Sequence, residues 1–352
     1  MRLHEAHAVQ HVVLNRVIED WAPTSLGWNW ASGLVSHALL LIHESYGDKR
    51  IEPYLQTWMD HHVAGNTPIH DPGGILWKIG PGLCALHFAR KTNAPGYTQR
   101  VQAIQAHLAK TPRLKTSKGR GLFTSKEKRN EVWVDSLMTL CPFLARADTL
   151  GYGPEGQSLA EQQILGHAQC LVDPQTGLWF HAYDTGKRKP LGARWSRGMG
   201  WALFSLVEVL GEQSPTAREH SALALLLRDT VHAVLRAQDR AGHWYTVMDR
   251  NNSFVETSGQ ALLVYGLAKA LRLGLIPQDL RKQTEEAIVR GWRIVTLHVT
   301  DQGHVTGVTA GTNAGTYRHY MTRKTRGWTP WGEASALLAA HEACLLQKTY
   351  TS

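Results

Sequence analysis

The sequence lacks the features that place a protein in a membrane or send it out of the cell. Its 352 residues contain no run of eighteen apolar side chains, so we predict no helix that crosses a membrane. The first residues, MRLHEAHAVQ, are not a basic stretch followed by an apolar one, so we predict no secretory signal. We therefore expect a cytoplasmic protein, although a chain trimmed of its leader would begin in the same way.

Cysteine is scarce, and the cysteines form no recognised pattern. There are four of them, at Cys84, Cys141, Cys170 and Cys344. They show neither a CxxC pair nor a zinc-binding spacing with histidine, so buried thiols in a reducing compartment are favoured over disulfides. The nineteen histidines lack an HExxH motif, and the pair His61–His62 is expected to face solvent on a helix. We predict no metal and no organic cofactor.

What the chain does contain is a repeated pattern. Six apolar stretches each begin at a small residue and end at a turn, and most lead into a second, more amphipathic stretch. We predict that they are helices beginning near Gly33, Gly82, Ser136, Gly200, Gly259 and Gly332. The starts lie roughly 50 to 70 residues apart, which leaves room in each unit for a helix pair and a sizeable loop.

The second helix of each unit is the more amphipathic one. These helices are predicted at residues 49–63, 96–110, 157–171, 215–238 and 278–298. The sixth unit has no room for one, whereas segment 6–21 is amphipathic and has no partner, so we expect it to close the ring. The prediction is one all-α domain over residues 1–352, an (α/α)6 barrel. An open helical solenoid is the alternative, but nothing in the sequence resembles its polar capping repeats.

The formal net charge of +9 is partly concentrated in loops, at residues 111–129, 185–197 and 317–326. A basic surface suits nucleic acid, a membrane surface or a small acidic ligand. Nucleic acid is the least favoured, because the basic residues are not aligned along one helix. The loops precede inner helices and are rich in aromatic residues, whose faces can stack on sugar rings. For 111–129 a solvated surface is an equal interpretation; for 185–197 we favour a ligand.

Three loops have a turn-and-strand pattern of their own. Segments 173–184 and 239–249 each read as a glycine turn followed by an aromatic-rich strand that ends in aspartate, and 301–311 is a weaker echo. We predict short β-hairpins that project from the helical scaffold. Long loops in a compact domain are usually functional, and in a helical barrel these gather at one mouth, so we predict a binding site there.

Four runs resemble a known family: GLWFHAYD, ARWSRGMGWALFSL, GHWYTVMD and ETSGQALLVYGLAKALRLG, at residues 177–184, 193–206, 242–249 and 256–274. Together with the V-W-x-D-S segment at 132–136, they resemble the unsaturated uronic acid hydrolases of glycoside hydrolase families 88 and 105. The resemblance covers nearly the whole chain. These families include unsaturated glucuronyl and unsaturated rhamnogalacturonyl hydrolases.

The resemblance implies an unusual reaction. Polysaccharide lyases leave a 4,5-unsaturated uronic acid at the non-reducing end of their products, and enzymes of these families hydrate its C4–C5 double bond. The resulting hemiketal collapses and releases the aglycone. One carboxyl group can protonate C4 and then activate the water that adds at C5. A group that changes role in this way needs a pKa near the working pH, which burial in an apolar pocket supplies.

The resemblance assigns the carboxyl role to Asp135, at the start of the third inner helix. From the residues alone, Asp135 is also a good helix N-cap, and the two interpretations are compatible. Arg197 is expected to hold the substrate carboxylate through its planar fork. The remaining predicted binding residues are Trp195, Trp201, His181, Trp30 and Trp133. For Trp201 core packing is an equal interpretation, and an isolated loop histidine such as His181 is often structural.

Two departures from the family pattern leave the substrate open. Where the family usually has an aspartate before the second inner helix, this chain has Trp77 and Lys78, and Lys78 is a candidate contact for the uronate. Where the family usually has a histidine upstream of the catalytic aspartate, this chain has Thr124 and Ser125.

These departures keep two other functions open. One is a glucuronidase for saturated sugar acids that pairs Asp135 with Glu131 or Glu256, since such chemistry uses two carboxyl groups. The other is a sugar-acid binding protein without activity. In each case the expected partner is a small acidic oligosaccharide, and the expected state is a monomer or homodimer.

Overall fold

The computed structural model describes residues 3, 5–70, 76–92, 94–114, 121–124, 128, 130–327 and 329–351. Fourteen α-helices dominate this part of the chain. In chain order they are α1 (Ala6–Asp20), α2 (Trp30–Tyr46), α3 (Ile51–Ala64), α4 (Gly82–Thr92), α5 (Pro95–Lys110), α6 (Asp135–Thr149), α7 (Gly156–Leu171), α8 (Ser196–Glu212), α9 (Pro215–Glu219), α10 (Ala222–Ala237), α11 (Thr257–Arg272), α12 (Gln278–Thr296), α13 (Tyr317–Met321) and α14 (Pro330–Thr351). Two short 3₁₀ helices cover Pro23–Ser25 and Trp77–Ile79.

Six of the helices form a closed inner ring. Helices α2, α4, α6, α8, α11 and α14 each contact the next, and α14 returns to α2. Five of them pack against the helix that follows in the repeat, namely α3, α5, α7, α10 and α12. The sixth outer helix is α1, which packs against α14. The predicted (α/α)6 barrel closed by the N-terminal segment is therefore confirmed, and the open solenoid is wrong.

Small residues allow the inner helices to approach closely. A Cβ atom on Gly200 of α8 would lie 2.6 Å from the Leu262 side chain of α11. In the opposite direction, a Cβ atom on Gly266 of α11 would lie 2.4 Å from Leu203 of α8. Each glycine thus leaves space for a leucine of the neighbouring helix, which explains why these two inner helices contain small residues.

Two local predictions differ from the structure. The predicted helix 215–238 is split into α9 and α10, because the Ser221 hydroxyl accepts a hydrogen bond from the Leu223 backbone N–H and starts a new helix. The predicted solvent exposure of the His61–His62 pair is wrong for His62, which is only 4% exposed. Its ring lies 2.9 Å from the Leu26 carbonyl and 2.9 Å from the Thr67 hydroxyl, so it ties two loops to α3.

Short strands lie in the loops before the inner helices. They are β1 (Arg113–Leu114), β2 (Leu122–Phe123), β3 (Glu131–Trp133), β4 (Ala182–Asp184), β5 (Lys189–Leu191), β6 (Val308–Thr309) and β7 (Thr325–Arg326). They pair antiparallel as β1–β2, β3–β4–β5 and β6–β7. Short hairpins in these loops are confirmed, but not with the predicted turns. The predicted strand that ends at Asp184 is present as β4, but it pairs with β5 across a turn at 185–188, and segment 301–311 contributes β6, which pairs with β7. Segment 239–249 forms only isolated bridges, through Tyr245 and Val247. Much of the basic loop 111–129, including Ser125, lies outside the described residues.

None of the helices in the described part of the chain combines the length and the apolar character needed to cross a membrane. Buried apolar side chains from Leu3 to Leu346 form one main hydrophobic core, which the inner ring and the outer helices share. The starts of the inner helices and the short strands lie at the same end of this core, and this end positions the site.

Candidate active site

A cavity of about 100 Å³ opens at the mouth where the inner helices begin. It is lined by Trp30, Trp77, Asp135, Met138, Thr139, Trp195, Arg197, Trp201, Gly311, Thr312 and Asn313. Five of these were predicted from the sequence as site residues. Among the lining residues that the structure describes, Asp135 supplies the single carboxylate.

Asp135 is the first residue of α6, and its side chain is 23% exposed. The N-cap position belongs to Val134, and no side chain accepts a capping hydrogen bond there. The interpretation of Asp135 as a helix cap is therefore wrong: its carboxylate points into the cavity. Its location beside the positive end of the α6 dipole suits an acidic side chain.

His181 lies against Asp135. Its Nε2 is 3.1 Å from Oδ2 of Asp135, which is an ion-pair distance, although the two groups are not aligned as a straight hydrogen bond. The ring is fully buried, stacked on Trp195 at a centroid distance of 4.3 Å and met edge-on by Trp133 at 5.2 Å. The backbone N–H of Val134 donates to the His181 carbonyl at 3.1 Å, which fixes the histidine beside the start of α6.

Tyr320 completes this group, and the sequence analysis missed it. Its hydroxyl oxygen is 2.8 Å from Nδ1 of His181 and accepts the backbone N–H of Ala193 at 3.2 Å. Burial raises the pKa of Tyr320, so the hydroxyl keeps its proton. No motif marks this residue: it belongs to the short helix α13 in the basic loop 317–326, and only the three-dimensional structure shows that this loop folds over His181.

Arg197 lines the cavity but is already engaged. Its side chain is 1% exposed, and its terminal nitrogens donate to the carbonyls of Thr309 at 3.1 Å and Ala310 at 3.0 Å. It also forms an ion pair with Glu256 at 3.3 Å. Burial lowers the pKa of Arg197, and the negative charge of Glu256 opposes that effect. A two-nitrogen contact to a substrate carboxylate would require some of these bonds to exchange, so this role stays a prediction.

Neither glutamate of the two-carboxylate alternative lines the cavity. Glu256 is fully buried: it caps α11 by accepting the Gly259 N–H at 2.8 Å and also accepts the Thr309 N–H at 3.0 Å. Glu131 accepts the indole N–H of Trp133 at 2.6 Å and lies 3.3 Å from the ammonium of Lys128. Both carboxylates thus have structural partners, and among the described residues that line the cavity Asp135 is the one with a carboxylate.

The aromatic predictions divide into two groups. Trp30 and Trp201 form one wall, with ring centroids 6.1 Å apart and edge-on, and Trp201 is 1% exposed, so it is both wall and core. Trp195 forms another wall. Trp133 does not line the cavity, because its ring lies behind His181, and its predicted role as a pocket wall is wrong.

Lys78 also does not line the cavity; the neighbouring Trp77, which is 38% exposed, does. The backbone carbonyl of Lys78 accepts the indole N–H of Trp28 at 2.9 Å. Thr124 is buried, with its hydroxyl donating to the Lys128 carbonyl at 2.6 Å, so it has a structural role. Because Lys78 is not among the residues that line the described cavity, its contact with the uronate stays a prediction.

A second, larger cleft adjoins the cavity. Its volume is about 670 Å³, and Trp30 lines both spaces. On its other sides it has Trp331 and the ion pair of Arg16 with Asp20, whose atoms are 2.6 Å apart. The rings of Trp30 and Trp331 lie 5.1 Å apart. The small cavity therefore lies beside a cleft that is aromatic on one side and polar, without net charge, on the other.

A closed barrel of helix pairs, with an acidic side chain and indole walls in a cavity at one mouth, defines a helical-barrel glycoside hydrolase. The chain belongs to Glycosyl Hydrolase Family 88, whose sequence pattern matches residues 5–347. The resemblance found in the sequence is thereby confirmed.

Individual relatives agree with this assignment. The chain is 26% identical over 331 residues to the unsaturated rhamnogalacturonyl hydrolase YesR of Bacillus subtilis, and the match covers 90% of each protein. Its fold is similar to that of a possible family 105 member from Salmonella enterica, with a TM-score of 0.84 at 23% identity over 99% of this chain and 95% of the other. An unsaturated glucuronyl hydrolase from Bacillus sp. GL1 aligns with a TM-score of 0.72 at 14% identity over 96% of both chains.

Proposed function

We propose that this enzyme releases the aglycone from 4,5-unsaturated uronyl oligosaccharides by hydrating the C4–C5 double bond, with Asp135 as general acid and base. The observation that carries the proposal is the single carboxylate in the described cavity lining. Direct hydrolysis of a glycosidic bond uses two carboxyl groups across the scissile bond, whereas hydration of a vinyl ether needs one that changes role. The similarity to an unsaturated rhamnogalacturonyl hydrolase supports the same substrate class.

The chemistry balances around one carboxyl group. Asp135, as the acid, transfers its proton to C4 and leaves positive charge shared between C5 and the ring oxygen. The resulting carboxylate then takes a proton from water as the water oxygen bonds to C5, which restores the acid. The hemiketal at C5 opens, and the hemiacetal left at C1 releases the aglycone. Indole walls such as Trp195 and Trp201 enclose the flat unsaturated ring, and Arg197 is the proposed partner of its carboxylate.

The remainder of the substrate needs space outside the small cavity. We propose that the aglycone sugars occupy the adjoining cleft, because Trp30 lines both spaces and the cleft is several times larger. Its charges cancel within the Arg16–Asp20 pair, so hydroxyl-rich neutral sugars suit it better than strongly acidic ones. Sugar hydroxyls could bond to its polar side, while Trp331 offers an apolar face.

We further propose that residues 1–352 act as one catalytic unit in the cytoplasm, on oligosaccharides that a lyase has already produced, as a monomer or homodimer. The shared core supports the single unit. The four cysteines are free thiols, three of them buried, which suits a reducing compartment.

The test is an assay on lyase-generated disaccharides that follows the ultraviolet absorbance of the double bond. Hydration removes this absorbance as the aglycone appears, so we expect both signals to change together in equal amounts. A saturated glucuronide with the same aglycone is the matched control, and it should not turn over. Release of the aglycone from the saturated compound at a comparable rate would replace hydration with two-carboxylate hydrolysis.

A further inference from the structure

A chain of three side chains leads from the cavity into the protein. It runs from Oδ2 of Asp135 to Nε2 of His181, 3.1 Å away, and from Nδ1 of the same ring to the hydroxyl of Tyr320, 2.8 Å away. His181 is 0% exposed and Tyr320 is 1% exposed, so water cannot readily take the place of either partner. The protons in this chain can therefore be placed by counting donors and acceptors.

The count begins at Tyr320. Its oxygen already accepts the backbone N–H of Ala193 at 3.2 Å, and that group can only donate. The tyrosine has one proton to donate, and among the described residues only Nδ1 of His181 offers it an acceptor. Nδ1 therefore accepts. A neutral imidazole has one N–H, so the proton of His181 is on Nε2, facing Asp135.

We propose that Tyr320 is a positioning residue that sets the tautomer of His181 and, through it, decides which oxygen of Asp135 carries the catalytic proton. This inference rests on the proposed function of Asp135. With a proton on Nε2, the oxygen Oδ2 can only accept, in both the acid and the carboxylate form. The proton that Asp135 delivers must then be on Oδ1, the oxygen that is not held by the histidine.

The opposite tautomer would misplace this proton. If Nδ1 carried the proton of His181, Nε2 would present a lone pair to Oδ2, and the acidic proton of Asp135 would be drawn towards the histidine instead of the substrate. Nε2 and Oδ2 are loosely aligned without substrate, and we expect this contact to tighten in the complex, as catalytic hydrogen bonds often do. Fixing a histidine tautomer through the far ring nitrogen is a general device in enzymes.

The surrounding structure holds the three groups in place. Gly192 has a φ of +82°, and a Cβ atom at this position would lie 2.3 Å from the Tyr320 hydroxyl, so glycine lets the end of β5 reach the tyrosine. The His181 ring is confined between the indoles of Trp133 and Trp195.

Other charged groups lie near these three side chains. The guanidinium of Arg197 stacks on Trp195 at 4.5 Å and forms an ion pair with Glu256. Burial and the positive charge of Arg323, on the loop that carries Tyr320, lower the pKa of Arg197. None of these charged groups is a hydrogen-bond partner of the Tyr320 hydroxyl, so we expect them to act equally in the parent and in the variant that lacks this hydroxyl.

The experiment compares Tyr320→Phe with Tyr317→Phe. Tyr317 is on the same short helix, but it is 38% exposed and its hydroxyl donates to Asn252, so it is a matched control outside the chain of three. Nitrogen-15 labelled histidine, with the His181 signals assigned by their loss in His181→Gln, reports the tautomer directly. We expect an Nε2–H tautomer in the parent and in Tyr317→Phe, and a mixture or the Nδ1–H form in Tyr320→Phe.

Kinetics provide the second measurement. On unsaturated disaccharides, Tyr320→Phe should lower kcat at least tenfold with little change in KM, and should displace the pH profile of kcat, whereas Tyr317→Phe should do neither. An Nδ1–H form in the parent overturns the proposal even if Tyr320→Phe does not fold, and so does an unchanged tautomer in a folded Tyr320→Phe. If the parent has the Nε2–H form but no activity on unsaturated uronides, the proposed function fails while the tautomer assignment stands.

Discussion

Replacing Asp135 by asparagine removes the carboxyl group that we propose as general acid and base, and it changes little in the surrounding contacts. The amide has the same shape, the side chain caps no helix, and the neighbouring Nε2–H of His181 can still donate to the amide oxygen. General acid–base groups contribute about a hundred- to ten-thousand-fold, and one group that serves both steps should lie at the upper end. A loss of about 10⁴ in kcat corresponds to roughly 5 kcal/mol in the activation barrier.

The assay is the decrease in double-bond absorbance at saturating unsaturated disaccharide, with the thermal midpoint measured on the same preparation. Asp135→Asn should unfold close to the temperature of the parent and show nearly no turnover. Glu131→Gln is the matched control, because its oxygen can still accept the Trp133 indole N–H, and it should retain most activity.

Glu256→Gln needs more care in this comparison. It breaks the buried pair with Arg197, which typically costs about 3–5 kcal/mol of stability, so its rate has to be expressed per folded molecule. A folded Glu131→Gln or Glu256→Gln as inactive as Asp135→Asn, combined with faster turnover of saturated glucuronides, would refute the single-carboxylate mechanism.

Three further outcomes are expected. Arg197→Lys loses the planar fork, so it should weaken substrate binding by about 1–3 kcal/mol, measured from KM or an inhibitor constant, and should lower the melting temperature. If neither the binding constant nor the melting temperature changes, the contacts of Arg197 are dispensable. Ser25→Trp should slow the enzyme on tetrasaccharides but not on disaccharides, because Ser25 lines the larger cleft, whereas Thr24→Trp beside it should affect neither. Burial raises the pKa of Glu333 to about 7, above its unfolded value, so its protonated form favours the folded state and stability should fall by about 3 kcal/mol between pH 4.5 and 7. The free energy of unfolding of Glu333→Gln, measured in denaturant, should depend less on pH than that of the parent. An identical pH dependence would show that Glu333 does not cause the loss of stability.

The scaffold was predictable because it follows from periodicity. The six starts, the amphipathic partners and the unpaired segment 6–21 together favour a closed ring, and, apart from 215–238, each predicted outer helix lies within a few residues of its observed bounds. The split between α9 and α10 was missed because serine is tolerated within helices as well as at their starts, so Ser221 before the apolar run of α10 did not by itself mark a new helix. Whether such a serine turns its hydroxyl back to the chain and starts a new helix is decided locally.

The positions of several predicted site residues could be anticipated from motifs, but their contacts could not. Asp135 and Arg197 line the cavity and His181 lies against Asp135, yet no motif could show that Arg197 already donates to the carbonyls of Thr309 and Ala310. Those partners lie more than a hundred residues away in the chain. Trp133 was misplaced for a related reason: a motif gives the order of side chains along the chain, not the direction in which a strand presents them.

The direction is set by the pairing of β3 with β4. Val132 pairs with Tyr183 and Trp133 with Ala182, and the next backbone bond, from Val134 N–H to the His181 carbonyl, continues this register. Since side chains alternate between the faces of a sheet, a slip by one residue would turn His181 away from Asp135 and bring a neighbour in its place. After a turn the chain continues through β5 to Gly192 and Ala193, and the Ala193 backbone N–H donates to the Tyr320 hydroxyl. Three short strands therefore fix the relative position of the acid, its histidine and the tyrosine behind it, although they contribute little to the core of a helical protein.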